Sequence, residues 1–471
     1  MKRIVTPEEM RQMEQAAFEG GVSSLLLMET AAREAFLRLQ RLLPRGGRVV
    51  FLCGPGNNGG DGLAMARMWR LAGGDARVIL PRESATPDAQ VNLRYLRALG
   101  VPFASEIGQA DVLVDALFGT GFRGSIDPGS DMGRLIERAN AAGCPILAVD
   151  IPSGMDGLTG QVFGACIHAA ETVTFHAAKR GLILTSRPEL VGRLHVADIG
   201  LIGDAGLLWA DDLAELLPPR PATAHKGDCG RVTLYAGSLG MAGAAVMAAK
   251  AALRAGSGLV TVLCEGEIMP ILQAAVPNAM CRLPSDPPAA DARLYGCGLT
   301  ENEETWQRLC ALHDENMPEV WDAGALNLLA RHPMALGKNA VITPHAGEAA
   351  RLLGWTIPQV TGDMPAAAEA LRQKFACSVI LKSHVSVLCA ADGTLAVNTA
   401  GSAALAKGGS GDALAGILTS LLGQGLDFLP AMQAASLWLG LAGQRAGEKY
   451  GLRGALTGDV IDCMGEAAGC G

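Results

Sequence analysis

The sequence predicts two α/β domains in series, each a three-layer α/β/α arrangement around a largely parallel sheet. Three observations carry this reading. The 471 residues exceed what one hydrophobic core usually supports. Glycine is abundant, at 60 residues, while aromatics make up only 4%. Short β-branched runs alternate with alanine- and leucine-rich stretches, the pattern of βα units. With 49% hydrophobic and 18% charged residues the chain is globular rather than disordered. A net charge of −8 gives no basic footprint for nucleic acid or an anionic membrane, so neither partner is expected.

The opening "MKRIVTPEEMRQMEQ" has acidic residues where the apolar core of a signal peptide would lie, so a cytoplasmic location is expected. In the first half, strands are predicted at 48–53, 77–80, 111–115, 146–150 and 171–175, most separated by helical stretches. Together they make a doubly wound sheet whose ligands lie beyond the carboxyl ends of the strands. The first domain is assigned to 1–209. A linker follows at 210–223, where Pro218, Pro219 and Pro221 cluster and neither helical nor strand period holds. The second domain, 224–471, carries further strand runs in "RVTLYAGS", "GLVTVL", "ARLYGCG", "EVWDAG", "AVITPH" and "SVILK". The apolar stretch 413–426, bounded by Asp412 and Asp427, is too short to span a bilayer and reads as a buried helix. Twelve cysteines occur singly, without C-x-x-C pairs or zinc spacing, and read as reduced, buried residues.

Polar clusters follow three of the first-half strands: "GPGNNGGDG" at 54–62, "DALFGTGFRGS" at 115–125 and "DIPSGMDG" at 150–157. Parallel strands bring such ends to one crevice. Glycine turns at a helix start suit a phosphate, whereas side-chain oxygens of Asn58, Asp115 and Ser153 suit a hard cation. Asn57 and Asn58 could equally supply turn geometry, and Asp61 a helix cap. With "TFHAAKRGL", the three motifs resemble the NAD(P)H-hydrate epimerase domain over almost the whole first half. That resemblance implies a Rossmann-like sheet and a potassium ion held by Asn58, Asp115 and Ser153. It also implies a hydrated dinucleotide held by Asn57, Asn58, Gly59, Gly60, Asp61, Gly119, Thr120, Gly121, Phe122, Arg123, Gly124, Ser125 and Asp150. Inverting a hydroxyl-bearing ring carbon needs a positioned acid or base, and Asp150 is the candidate. In "LMETAAREA", Thr30 and Ala32 stand where the family usually has Asn and Gly.

In the second half, "NTAGSAALAKGGSGDALAGIL" places Gly408, Gly409 and Gly411 at a helix start that carries Asp412. Backbone donors would there meet a phosphate beside a carboxylate, as phosphoryl transfer needs. Asp412 could also be a helix-capping acid, which the helix dipole would keep ionised. No G-x-x-x-x-G-K-[ST] is present. Together with "HKGDCGRVTLYAGSLGMAGAA", "RAGSGLVTV" and "ITPHAGEAARLLG", the motif resembles the ribokinase-like ADP/ATP-dependent NAD(P)H-hydrate dehydratase. The two halves in this order resemble the bifunctional NAD(P)H-hydrate repair enzymes. The resemblance implies Asp412 as the proton acceptor and ADP or ATP as phosphoryl donor, with magnesium accompanying the nucleotide. Lys382, Ser383, His384, Val385, Ser386 and Gly411 would contact the nucleotide, and Ala244, Gly298, His345 and Asp412 the hydrate. A homo-oligomer is also expected. Four departures bear on activity: Gly324 for a second Asp, Ser383–His384 for Gly-Ala, Ser402 for Asn, and "YGCGLT" without a Pro-Gly-x-Gly turn. A nicotinamide oxidoreductase would leave the second half unused, and a small-molecule kinase the first. A protein whose second half only binds nucleotide is the remaining alternative.

Overall fold

The computed structural model describes residues 2–43, 47–203 and 205–469 and divides into two compact units, Lys2–Gly206 and Leu207–Gly471. The N-terminal unit contains β1 (Lys2–Val5), β2 (Arg48–Cys53), β3 (Asp75–Ile79), β4 (Val112–Ala116), β5 (Ile146–Val149), β6 (Glu171–Phe175), β7 (Ala178–Lys179) and β8 (Arg193–Ala197). Its main sheet runs β3-β2-β4-β5-β6-β8 with every pair parallel, and β1 pairs parallel with β7. Each predicted first-half strand is present, with edges moved by at most two residues. From β2 the chain steps out to β3 and then back past β2 to β4. The crevice beyond the ends of β2 and β4 is therefore the point where strand order reverses, the usual ligand position in such sheets.

Both faces of this sheet are buried, so its strands read as continuous apolar runs. Val49, Phe51 and Val114 pack on one side with residues of the helices Ser24–Leu42 and Asn57–Leu71. On the other, Val50, Leu52 and Leu113 meet the helix Asp131–Asn140. Burying each such side chain contributes about 1.5–3 kcal/mol. The glycine turn after β2 is set by close approach. A Cβ on Gly54 would lie 1.8 Å from the Leu117 carbonyl oxygen, and one on Gly59 1.8 Å from that of Gly54.

In the C-terminal unit are β9 (Leu207–Trp209), β10 (Arg231–Tyr235), β11 (Leu259–Leu263), β12 (Met280–Arg282), β13 (Ala292–Tyr295), β14 (Glu319–Trp321), β15 (Ala340–Ile342), β16 (Ser378–Leu381), β17 (Ser386–Cys389) and β18 (Leu395–Asn398). Their order is β12-β11-β10-β13-β14-β15-β16-β17-β18-β9, and only the β16–β17 and β17–β18 pairings are antiparallel. The stretch 413–426 falls on the helix Ser410–Gly423, buried from Ala413 onward.

Two expectations about the junction are corrected. Leu207–Trp209 pairs with β18 and belongs to the second unit. The segment 210–223 is not a free linker. Leu213 is buried in the second core, Leu216 and Leu217 pack against it, and the Arg220 guanidinium donates to Gly256 O at 2.5 Å. Three leucines ahead of the prolines have core to cover, so the segment adheres without regular structure. Among the described residues every cysteine is free and no helix is long and apolar enough to cross a membrane.

Candidate functional sites

A cavity of about 760 Å³ opens at the strand-order reversal of the N-terminal unit. Asn57, Asn58, Asp61, Gly119, Thr120, Gly121, Phe122, Arg123 and Asp150 all line it. Gly59 and Gly60 are buried outside the lining, and Gly124 and Ser125 are exposed outside it. Thr30 and Ala32 leave the packing of their helix intact. Ala32 is fully buried, the Thr30 hydroxyl donates to Leu26 O at 3.0 Å, and Leu27, Met28 and Ala31 face the cavity.

Asp150 follows β5 with a φ of 68°, a left-handed conformation that costs an L-residue energy and is met mostly where the surroundings over-determine it. Here they do. Its Oδ1 is ion-paired with Lys179 Nζ at 2.9 Å and accepts from Thr174 Oγ1 at 3.2 Å, while Oδ2 accepts from Thr120 N at 2.9 Å. Lys179, buried on β7, is tied further to Thr174 Oγ1 at 3.0 Å and Phe175 O at 2.9 Å. The sequence motif "TFHAAKRGL" contains Lys179 but assigns it no role. Its one signal there is a charge that follows an apolar run.

Asp115, at the end of β4, is fully buried, and burial pushes its carboxyl up to about 6 against the pull of three hydrogen bonds. Ser153 Oγ donates to it at 2.6 Å, Ser153 N at 2.8 Å and Leu117 N at 3.2 Å. Both polar atoms of the Asn58 amide are buried without a hydrogen-bond partner. A buried, orphaned amide is costly unless a ligand satisfies it. The Asn58 and Asp150 side chains are neighbours, since a Cβ on Gly119 would lie 3.2 Å from Asn58 Cγ and 2.8 Å from Asp150 Oδ2. Asp61 does not cap its helix. The cap position is Gly56, and Asp61 is buried in the second turn.

The second site gathers at the start of the helix Ser410–Gly423. Its cap residue Gly409 has a φ of 96° and no side chain covers the first turn, so backbone donors there are available to an anion. Ser410 Oγ is buried without a partner. Ligand atoms of Cys297, Asp322 and Asp412 lie within 4.8 Å of one another. Lys382 Nζ donates to Asp322 Oδ1 at 2.7 Å. A Cβ on Gly411 would come within 3.2 Å of that ammonium, so the helix start and Lys382 are close neighbours. Besides the helix dipole expected from the sequence, burial and neighbouring charges act on Asp412. Burial, then the neighbouring Asp322, pushes its carboxyl up to about 6, with the Cys297 thiol and Lys382 pulling the other way. The cap at Gly409 also rules out Asp412 as the helix-capping acid.

Asp322 and Cys297 belong to this site although sequence reasoning missed them, and both flank motifs noted above. Gly324 does remove a carboxylate, but Asp322 of the same segment supplies one. His345 caps a helix through one ring nitrogen. Its Nδ1 accepts from Gly347 N at 3.0 Å, capping the helix Ala346–Leu353, while Glu348 Oε2 accepts from His345 N at 2.9 Å. Ala244 and Gly298 are adjacent, since a Cβ on Gly298 would lie 2.8 Å from Ala244 Cβ. Residues 382–385 join β16 to β17, which Ser386 opens. Ser383 Oγ and His384 Nδ1 lie 3.3 Å apart, both side chains exposed. Ser402 Oγ accepts from Ala404 N at 3.2 Å and caps a short turn.

The family described as NAD(P)H-hydrate dehydratase matches residues 232–465, and the family described as YjeF-related protein N-terminus matches 24–181. The chain is 38% identical over 466 residues to the bifunctional NAD(P)H-hydrate repair enzyme Nnr of Escherichia coli, covering 94% of this chain and 89% of that one. To the protein of the same name from Coxiella burnetii it is 35% identical, covering 96% of each. Among solved structures, an ADP/ATP-dependent NAD(P)H-hydrate dehydratase from Bacillus subtilis, co-crystallised with ATP and Mg2+, is 27% identical with a TM-score of 0.51. That match covers 54% of this chain and 94% of the other. A ribokinase-like superfamily protein from Enterococcus faecalis is also 27% identical, with a TM-score of 0.52, covering 57% and 98%.

Proposed function

The chain belongs to the bifunctional NAD(P)H-hydrate repair enzymes, and from that premise we propose how its two sites divide the work: the N-terminal cavity interconverts the R and S hydrates, and the Asp412 site dehydrates the S hydrate. The observation that carries this reading is the separate acid/base cluster in each unit, Asp150 with Lys179 in one and Asp412 with Asp322 and Lys382 in the other.

In the first site Asp150 is the base that accepts a proton from water as it returns to the ring. Lys179, Thr174 and the Thr120 N–H hold it oriented. Asn58, Asp115 and Ser153 would hold a potassium ion. The donor set is all oxygen with one formal charge, and the orphaned Asn58 amide fits a missing partner. Such an ion would supply fixed positive charge beside a leaving hydroxyl. Potassium is expected to raise the melting temperature by a linkage of about 1–3 kcal/mol at 10 to 100 times its Kd. Asn58→Ala should remove that increment in a calorimetric titration, and an unchanged increment would contradict the assignment.

In the second site the uncapped helix start and Lys382 receive the phosphates of ADP or ATP, with magnesium entering alongside the nucleotide. Asp412 accepts the proton of the ring hydroxyl, whose oxygen takes the terminal phosphoryl group. The carbon–oxygen bond then breaks, phosphate departs, and loss of a ring proton restores the dihydronicotinamide. Asp412 must be ionised to do this. Because its carboxyl is raised to about 6, kcat/KM for dehydration should fall roughly tenfold per pH unit below that value. A flat profile between pH 5 and 7 would contradict the role. The direct test supplies hydrated NADH as an epimer mixture and asks whether NADH reappears only when ADP or ATP is added. Self-association into a homo-oligomer is part of this reading and is checked by light scattering.

A further inference from the structure

Epimerising a ring carbon that bears a hydroxyl next to nitrogen takes two proton transfers. The departing oxygen needs a proton, and the returning water needs a base. Inversion puts the departing oxygen and the returning water on opposite faces of the ring, so one fixed carboxyl cannot serve both. Asp150 is held in place by Lys179, Thr174 and the Thr120 N–H. The second group has to come from elsewhere in the same cavity.

We propose that Asp61 is the proton donor of the epimerisation, working with Asp150 as the proton acceptor; this rests on the epimerase reading of the N-terminal unit. Asp61 lines the cavity, is only 9% exposed, and makes no hydrogen bond or ion pair among the described residues. The other charged groups of the cavity are Glu14 and Arg11 on the helix Pro7–Glu19, Asp88 on the helix Pro87–Ala98, Arg123 beyond β4, Asp150 beyond β5, and Lys179 on β7. Arg11 is engaged by Glu8, Arg123 by the carbonyls of Thr120 and Phe122, and Lys179 by Asp150. Four carboxyls thus share a cavity whose one buried ammonium is taken. Burial, followed by the charges of Asp150 and Glu14, pushes the Asp61 carboxyl well above the usual range, with Lys179 pulling it back. Glu14 is raised too, by burial first, but it is less enclosed. Paired carboxyls with opposed protonation are a recurring way to assign acid and base at neutral pH.

In the forward step the Asp61 proton passes to the ring hydroxyl, the carbon–oxygen bond breaks, and water departs. The nitrogen lone pair forms a C=N bond in its place. Water then adds to the opposite face, a new carbon–oxygen bond forms, the C=N pair returns to nitrogen, and the surplus proton passes to Asp150. Asp61 is left ionised and Asp150 protonated, the form that runs the opposite conversion; exchange with solvent restores the starting form.

The experiment measures epimerisation of hydrated NADH against pH by the full-length protein and its variants, after subtraction of the enzyme-free rate. Wild type should give a profile that falls on its alkaline side. Asp61→Asn should lower kcat by about 10² or more with KM little changed, and should lose that alkaline limb. Asp150→Asn should lower the rate while keeping the alkaline limb. Thermal melting checks each variant's fold, and if Asp61→Asn does not fold, Asp61→Glu decides by retaining a displaced alkaline limb. Wild-type kcat with an unaltered alkaline limb in the Asp61 variant would overturn the proposal, as would removal of that limb by Glu14→Gln instead. A normal Asp150→Asn would contradict the underlying epimerase reading, so the two failures are distinguishable.

Discussion

Replacing Asp412 with asparagine is expected to lower nucleotide-dependent recovery of NADH by at least about a hundredfold, the share of a general base at a phosphoryl-transfer site. The substitution keeps the shape of the side chain. It removes the one carboxylate in the first turn of the Ser410–Gly423 helix, beside Asp322 and Cys297. The uncapped helix start and Lys382 remain, so ADP should bind with an affinity close to that of the wild type. Calorimetry of ADP binding and initial rates on the S hydrate separate the two effects. Equal rates in variant and wild type would place the proton acceptor elsewhere.

The Asp150→Asn variant should epimerise about 10² to 10⁴ times more slowly, since the amide cannot accept the proton of water. The backbone at this position has a φ of 68°, which asparagine tolerates better than most residues, so the change should not disturb the turn. Lys179 loses its ion-pair partner and is left as a buried, uncompensated charge, so a clear drop in melting temperature is expected. Dehydration of purified S hydrate should be unchanged. A variant that interconverts the epimers at the wild-type rate would reduce Asp150 to a turn residue.

The fold was legible where strands are buried on both faces. A run such as Val49–Val50–Phe51–Leu52 next to a glycine turn reads as a strand without ambiguity. The short strands β7, β12, β17 and β18 were not legible, since two to four residues without alternation carry no period. β8 alternates poorly and is mostly half-exposed. The polar clusters at strand ends pointed to both sites because parallel topology gathers such ends. What the motifs could not convey is set by distant partners. Lys179 meets Asp150 only through the two-residue strand that seats it. Asp322 raises Asp412 only because both are gathered at one helix start. His345 caps a helix through Nδ1, a role that leaves little mark on the local sequence. The three leucines of 210–223 were masked by the prolines that follow them.

The central claim, two reactions at two sites in one chain, is tested most directly by following NADH recovery from a mixture of R and S hydrates in the presence of ADP. Wild type should convert both epimers completely. Asp150→Asn should convert the S fraction at the normal rate and then slow to the spontaneous epimerisation rate, while Asp412→Asn should recover neither. Complete fast recovery by Asp150→Asn, or recovery by wild type without added nucleotide, would contradict the account.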